Sequence, residues 1–143
     1  MSRIRDIVNS EFENIETVLN EIKKVKDREN KETVILVGLG AFLQNFYNGI
    51  ENILKQLLLY NKVTISNSPN WHKDLLNLSI EKKIISKKTA NKIGKYLYFR
   101  HFCAHNYGFL IEEEKLMSLV ENVFDVFIAF QKDIIRFLKK NKI

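Results

Sequence analysis

The sequence contains a single cysteine, Cys103, and it opens without an apolar leader that ends in small residues. One cysteine cannot form a disulfide within the chain, and a leader of that kind is what a secreted protein would carry. Neither secretion nor an oxidising compartment is therefore indicated. We expect a protein of the reducing cytoplasm.

Long hydrophobic runs are also missing. The most apolar stretch extends for ten residues from Val34 to Leu43, and the polar residues Gln44 and Asn45 follow it directly. A helix that crosses a bilayer needs about 20 apolar residues in succession. The stretch therefore predicts a segment of a protein core, and no contact with a membrane is expected.

Proline and glycine are scarce, with one proline and five glycines among 143 residues. Residues that interrupt helices are thus few, and apolar residues recur at steps of three and four through most of the chain. A composition with 45% apolar and 28% charged residues is typical of a soluble globular protein. We expect a single helical domain that spans residues 1–143.

Five helical segments follow from this spacing, and the fold class predicted is an all-α, antiparallel bundle of about five helices. Ser68 and Ser86 are predicted to cap the third and fourth helices. Pro69 is predicted to begin the third, because proline lacks the N–H that this position leaves unbonded. The predicted segments cover residues 3–26, 33–60, 69–79, 86 to 106 or 108, and 112–142.

Two of these helices have more apolar side chains than one bundle would bury. The fourth is rich in aromatic residues, and the fifth is rich in phenylalanine. Bundles with such a surplus often associate through it. We therefore expect a homodimer, although the pattern does not define the surface that forms it.

The net charge of +6 is concentrated in one segment. Seven lysines lie in the stretch from His72 to Lys95, against only two acidic residues. A cationic surface attracts polyanions such as RNA or DNA, although lysine-rich surfaces also serve solubility alone. The position of the segment directly before Arg100 favours a nucleic-acid partner.

Nearly all side chains able to do acid–base chemistry near neutral pH lie together. Arg100, His101, Cys103, His105 and Tyr107 fall within eight residues. An imidazole accepts or donates a proton near pH 7, and a guanidinium pairs with two phosphate oxygens. Such groups can cleave RNA without a metal, because a base removes the 2′-hydroxyl proton, an acid protonates the leaving 5′-oxygen, and a cation stabilises the charge on phosphorus.

The spacing of Arg100 and His105 does not by itself bring the two side chains together. Positions five apart differ by about 140° around a regular helix and by about 7.5 Å along it. Convergence needs the length of the arginine side chain, a distortion of the helix, or a two-fold partner that contributes a second pair to a shared cleft. The last arrangement would also provide separate acid and base histidines.

A metal site is the competing interpretation of the same residues. His101 and His105 are spaced i, i+4, as two ligands on one helical face would be. No third or fourth ligand is evident, and Phe102 and Cys103 occupy the middle positions where a zinc protease would need a glutamate. We therefore expect no metal and no cofactor, and Cys103 is predicted to be a small buried hydrophobic residue.

The stretch from Arg100 to His105 fits the R-x4-6-H signature of the HEPN superfamily, and Tyr107 extends the match to the RX4HXY motif. The chain thus resembles the HepT toxins of the HepT/MntA toxin–antitoxin systems over essentially its whole length. The segment from Phe46 to Glu51 is similar to the second helix of that family. The resemblance implies a HEPN-like helical fold and a two-fold homodimer.

The resemblance also implies a function. HEPN toxins are metal-independent endoribonucleases, so His105 would be the acid–base residue and Arg100 the phosphate clamp. The partner in HepT systems is an MntA-like minimal nucleotidyltransferase antitoxin, which transfers AMP from ATP to the motif tyrosine, here Tyr107. This chain has no nucleotidyltransferase signature, so that enzyme would be a separate protein. AMP on Tyr107 would place negative charge two residues from His105 and silence the toxin without unfolding it.

Several residues and the function itself keep a second interpretation. His101, Asn106 and Glu51 could support RNA binding in the cleft, or they could belong to the helix surface and the helix end. Trp71 and His72 are expected to anchor the short third helix. The alternative to a ribonuclease that cuts tRNA or mRNA is a non-catalytic HEPN bundle that only binds a nucleotidyltransferase partner or nucleotides.

Overall fold

A computed structural model gives the fold. It describes residues 3–65, 67–106 and 112–143, and within these ranges it describes every side chain except those of residues 104–106. Over these ranges the chain forms five α-helices and no strand, so the prediction of an all-α fold with about five helices is confirmed. The helices are α1 (Arg3–Val25), α2 (Thr33–Tyr60), α3 (Trp71–Glu81), α4 (Lys87–Asn106) and α5 (Glu113–Lys140).

The central helix of the bundle is α2, which contacts each of the four other helices. Among the described helices, α2 is the one that is long and apolar enough to cross a membrane by length and composition. Its residues Leu39, Phe46, Ile50 and Leu57 are instead fully buried against the surrounding helices. The apolar composition of α2 is therefore explained by its place in the core, which a helix that is apolar all round is suited to fill.

The first turns of α2 differ from the prediction that the whole stretch from Val34 to Leu43 belongs to the core. Leu39 and Leu43 are buried, but the side chains of Val34 and Val37 are 69% and 40% exposed. The stretch is apolar on every side of the helix, and only one side packs on the bundle. Apolar surface is therefore left open at this end of α2.

The outer helices α1 and α5 bury one apolar stripe each. Phe12 of α1 meets Phe127 and Phe130 of α5 edge to face, with ring centroids 5.9 and 6.5 Å apart, a geometry that aromatic rings prefer. The predicted seam of α5 is buried at all seven of its positions, which are Leu116, Val120, Val123, Phe127, Phe130, Ile134 and Phe137.

The start of α3 corrects the sequence prediction. The helix begins at Trp71 with Asn70 as its N-cap, so Pro69 is not its first residue, and the Ser68 hydroxyl accepts from the Asn70 N–H at 3.3 Å in the turn before the helix. The residues before Trp71 form a turn, in which the Trp71 N–H donates to the Ser68 carbonyl oxygen at 3.1 Å. The Asp74 N–H then donates to the carbonyl oxygen of Asn70 at 3.0 Å, which is the first bond of helical spacing and makes Asn70 the N-cap.

The start of α4 agrees with the prediction. The Thr89 N–H donates to the Ser86 hydroxyl oxygen at 3.1 Å, which is the capping bond expected of a serine at this position. The Ser86 N–H in turn donates to the Asp133 carboxylate at 2.9 Å, so the start of α4 is fixed to α5. The helix continues to Asn106, one of the two predicted ends, while Gly108 lies outside the described residues.

The packing of α1 on α2 depends on the absence of a side chain at Gly49. A Cβ atom built at Gly49 would lie 2.6 Å from Cγ1 of Ile15, whereas a Cβ built at Gly38 or Gly94 would have no neighbour within 4 Å. Ile15 is itself buried. The two helices therefore approach closely at this point because one of them carries a glycine.

We expect Gly49→Ala to destabilise the protein by about 1–3 kcal/mol, because the added methyl group forces α1 or Ile15 to move. Alanine favours a helix over glycine by about 1 kcal/mol, so Gly38→Ala and Gly94→Ala serve as controls that should leave stability unchanged or raise it. Urea unfolding of the three variants measures the difference. In an Ile15→Ala background Gly49→Ala should no longer be costly, and a cost that persists there would show that Ile15 is not its cause.

Candidate functional site

The candidate site is organised by one face of α2. Tyr47, Asn48, Glu51 and Lys55 lie on this helix at intervals of one, three and four residues, which places them on one side along two turns. Glu51 is buried, and a buried carboxylate needs a partner from another element, whereas Asn48 is exposed. The partner of Glu51 comes from α3, and the partner of Asn48 comes from α4.

Arg100 of α4 is held by α2. The side chain is half-buried, and its Nε–H donates to the Oδ1 atom of Asn48 at 3.1 Å. A guanidinium has five N–H donors in a rigid plane, so the bond to Asn48 leaves the four donors on the terminal nitrogens. Donors in this arrangement are suited to pair with a phosphate group.

Glu51 is bound to a histidine that the sequence interpretation placed outside the site. The Glu51 carboxylate is buried, with 5% of its side chain exposed, and its Oε2 atom lies 2.5 Å from Nδ1 of His72. His72 belongs to the first turn of α3 and is 22% exposed. The pair connects α2 to α3 and leaves the Nε2 edge of the imidazole as the one that can exchange protons with a ligand.

Tyr47 lies beside both of these groups. Burial raises the pKa of the Tyr47 hydroxyl well above its usual range, the nearby Glu51 carboxylate raises this pKa further through its charge and hydrogen bonding, and the Arg100 guanidinium lowers it. Glu51 is thus near the hydroxyl, although no hydrogen bond of ordinary geometry reaches this oxygen from the described residues. Tyr47 is therefore a neutral phenol that lies within electrostatic range of Glu51 and Arg100.

Aromatic and cationic groups surround the imidazole of His72. The ring of Trp71 lies against it, with centroids 3.6 Å apart and planes tilted by 31°. The Nζ atom of Lys55 lies 4.1 Å from the centroid of the Trp71 ring, a cation–π contact from α2. His72 is thus held on one edge by a carboxylate and on one face by an indole.

A groove of about 440 Å³ lies between α3 and α4, and His72 is part of its wall. His101, the residue next to Arg100, lines the same groove from α4, and the exposed Lys73 lines it from α3. The other lysines of the cationic segment are exposed or half-buried at the surface, as a surface that attracts polyanions requires. The groove therefore combines positive charge with two imidazoles.

The structure brings together part of the predicted site. Arg100 is bonded to Asn48, which lies about one turn before Glu51 on α2, and His101 lies in the adjoining groove. The side chains of His105 and Asn106 lie outside the described residues, as does Tyr107. The roles predicted for these three residues therefore stay predictions.

Sequence analysis did not assign His72, Asn48 or Tyr47 to the site. Asn48 and Tyr47 had a visible signal, because they stand with Glu51 in the segment that resembles the family's second helix. His72 had none, since the start of α3 is far from Glu51 in sequence and only the folded chain shows their contact. The expectation that His72 helps to anchor α3 agrees with this contact, but it left out the buried carboxylate.

Two further predictions concern Cys103 and metal binding. Cys103 is half-buried, and burial raises the pKa of its thiol, which makes it a poor nucleophile near neutral pH. No cluster of three or more histidine, cysteine, aspartate or glutamate side chains with the geometry of a metal site occurs among the residues that the structure describes.

Two buried tyrosines allow a matched test of the polar contacts. Tyr96→Phe removes a hydroxyl that donates to the Leu119 carbonyl oxygen at 2.7 Å, and it should cost about 1 kcal/mol of unfolding free energy. Tyr47→Phe removes a hydroxyl with no well-aligned partner in the described part of the chain, so it should cost less or even stabilise the fold. Urea unfolding of both variants decides the order, and a larger cost for Tyr47→Phe would indicate a partner for its hydroxyl.

Both the fold and the sequence are similar to those of known proteins. No relative was found among curated proteins. The fold is similar to the solved structure of the cytosolic protein of unknown function YutE from Bacillus subtilis, with a TM-score of 0.70 and 14% sequence identity over 93% of this chain and 92% of that one. A family model described as HepT-like protein matches residues 38–141, which include all of α3, α4 and α5 and most of α2. The chain therefore belongs to the HepT-like family.

Proposed function

We propose that this protein is the toxin of a toxin–antitoxin system and a metal-independent endoribonuclease of the cytoplasm. HepT-like proteins are toxins usually paired with antitoxins, and the family is related to the HEPN ribonucleases. The observation that carries the proposal is the Arg100 guanidinium, which is bonded to Asn48 and is next in sequence to His101, a residue of the groove that His72 and Lys73 also line. Phosphodiester cleavage without a metal needs these two kinds of group.

Arg100 and His105 are the catalytic residues of the proposal. The guanidinium binds the scissile phosphate and stabilises the charge that develops on its oxygens, while the imidazole transfers a proton. His101 and Asn106 support RNA binding from the same helix. Glu51 is too deeply buried to reach an RNA, so its supporting role is to orient groups that do.

A two-fold homodimer would bring two such sites into one cleft. Apolar surface that a second copy could cover lies on both helices of the site. Tyr98, two residues before Arg100, is 76% exposed, and Val34 and Val37 of α2 are also exposed. Exposed apolar surface of this kind is available for a protein–protein interface.

The proposed switch is the addition of AMP to Tyr107 by an MntA-like minimal nucleotidyltransferase antitoxin. A phosphodiester attached to this tyrosine carries negative charge and places it two residues from His105. The modification would therefore compete with the RNA backbone for the same cationic groups. Toxicity would be lost while the bundle stays folded.

We expect the purified protein to cleave RNA in the presence of EDTA, because no step of the proposed chemistry needs a metal. Arg100→Ala and His105→Ala should each reduce the cleavage rate by about 10²-fold or more, since each removes a group that acts in the transition state. Gel analysis of labelled tRNA and mRNA measures the products. Circular dichroism and urea unfolding show that the variants are folded.

Arg136→Ala is the matched control, because Arg136 is a mainly exposed arginine that pairs with Asp133 on α5. It should cleave at the wild-type rate. Cleavage that survives His105→Ala would contradict the proposed mechanism. If the wild type forms a tight complex with a nucleotidyltransferase and yields no RNA product at any concentration, the protein is instead a non-catalytic HEPN bundle.

Incubation with the cognate nucleotidyltransferase and ATP should raise the intact mass by whole AMP units and abolish RNA cleavage. Tyr107→Phe should gain no mass, because the phenolic oxygen that accepts AMP is gone. Tyr60→Phe removes a tyrosine that is 52% exposed at the end of α2, and this control should be modified like the wild type. Mass spectrometry of the three proteins is the measurement, and a Tyr107→Phe protein that still gains AMP would place the modification elsewhere.

A further inference from the structure

His72 is the histidine to which the proposed function gives no role. Its Nδ1 atom lies 2.5 Å from the buried carboxylate of Glu51, its face lies against Trp71, and its side chain is 22% exposed. It lines the groove between α3 and α4 that His101 also lines. An imidazole that is fixed on one edge and open to a groove on another has the surroundings of a group that transfers protons.

The contact with Glu51 determines the tautomer of His72. An ionised carboxylate can only accept a hydrogen bond, so the proton of the neutral imidazole lies on Nδ1 and the lone pair lies on Nε2. A carboxylate that binds the Nδ1–H of a histidine also stabilises the imidazolium that forms when Nε2 takes up a proton. The pair therefore has the arrangement of a general base and the residue that orients it.

Stability alone gives little reason for this pair. A buried carboxylate is costly to desolvate, and replacing such a pair with apolar residues is often neutral or stabilising. The helix α3 is already anchored by Leu75 and Leu76, which are 0% and 7% exposed. The first turn of α3 would have no need of a buried acid if holding the helix were its only purpose.

The pair lies close to the phosphate-binding group of the proposed site. Glu51 and Asn48 are three residues apart on α2, about 4.5 Å along the helix axis. One of them holds His72 from α3, and the other holds Arg100 from α4. The charges of both Glu51 and Arg100 act on the hydroxyl of Tyr47. The imidazole and the guanidinium are thus attached to successive turns of one rigid helix.

We propose that His72, oriented by Glu51, is the general base of the RNA cleavage site and acts within the same subunit as Arg100. The proposal rests on the proposed function, and it supplies a second imidazole without a second copy of the chain.

Nε2 of His72 accepts the proton of the ribose 2′-hydroxyl as the 2′-oxygen bonds to phosphorus. The bond from phosphorus to the 5′-oxygen breaks, and that oxygen takes a proton from the imidazolium of His105. The products are a 2′,3′-cyclic phosphate and a 5′-hydroxyl, and the two histidines return to their starting states by exchanging one proton each with water.

Both the pH dependence of the reaction and the identity of the leaving group test this assignment. The charged and titratable groups around the imidazole come from three helices: Glu51 and Lys55 of α2, Lys73 of α3, and His101 of α4. Tyr47 and Arg100 interact with each other beside Glu51. In the wild type, kcat/KM should rise with pH as the base loses its proton and fall as the acid loses its proton.

The decisive variant is His72→Asn, because the asparagine amide can still donate to Glu51 from the position of Nδ1 but cannot accept a proton. It should lower kcat by about 10²- to 10⁴-fold at a KM close to the wild-type value and remove the rising limb of the pH profile. Glu51→Gln should lower kcat by about 10-fold or more, again with little change in KM. Asp133→Asn removes a buried carboxylate that is bonded to Ser86, outside the site, and should leave the pH profile unchanged.

An RNA with sulfur in place of the leaving 5′-oxygen separates base from acid, because a thiolate leaves without being protonated. The slow cleavage of His105→Ala should be restored on this substrate, whereas that of His72→Asn and Glu51→Gln should not. Added imidazole should partly restore the cleavage rate of His72→Ala.

A His72→Asn protein that keeps the rising limb of the pH profile, or that cleaves at the wild-type rate, would overturn the assignment while the proposed function stands. A wild-type protein that yields no RNA product would overturn both.

Discussion

The burial of α2 by four other helices is the constraint on which the rest of the structure depends. Polar atoms on a buried helix lose their water, and they are tolerated only where another element supplies a partner. Glu51 is buried among residues such as Phe46 and Ile50, and its partner is His72 of α3, whereas Asn48 is exposed one turn earlier and accepts a bond from Arg100 of α4. The same packing that forms the core thus draws α3 and α4 together on one side of α2.

This arrangement places the candidate site on rigid elements. Arg100, His72 and their partners all lie on helices, whose backbones are fixed by the core beneath them. Groups held by packing and by hydrogen bonds keep their orientation with little loss of entropy when a ligand binds. The charged residues of the site differ in solvent exposure: Glu51 is buried, Arg100 is half-buried and Lys73 is exposed. Charge is thus available at the surface, while the Glu51 carboxylate that holds His72 is shielded from solvent.

Much of the fold could be predicted from the sequence, because burial on one side of a helix leaves a regular spacing of apolar residues. That spacing located α1, α2 and α5 to within a residue or two, and Ser86 was predicted as a cap from its local chemistry. The predicted start of α3 was wrong, because proline also occurs in turns. Only the backbone hydrogen bonds of Trp71 and Asp74 show where helical hydrogen bonding begins.

Less of the site could be predicted, for a related reason. Arg100 and Glu51 belong to segments that resemble a known family, but the partner of Glu51 lies 21 residues further along the chain, on another helix. No local pattern encodes a contact of that kind, because it depends on how α3 packs against α2. The exposure of Val34 and Val37 is similar, since an apolar stretch does not say which of its sides the bundle covers. The dimer, the RNA and the modified tyrosine stay predictions.

Cys103 has a practical consequence. It is the only cysteine of the chain and lies three residues after Arg100 on α4, so one thiol reports on the candidate site without any other cysteine being removed. Since burial raises the pKa of this thiol, little thiolate is present at neutral pH, and its reaction with alkylating reagents will be slow there and faster in alkaline buffer. The native chain can thus carry a fluorine or spin label at that position and signal the arrival of a ligand by spectroscopy.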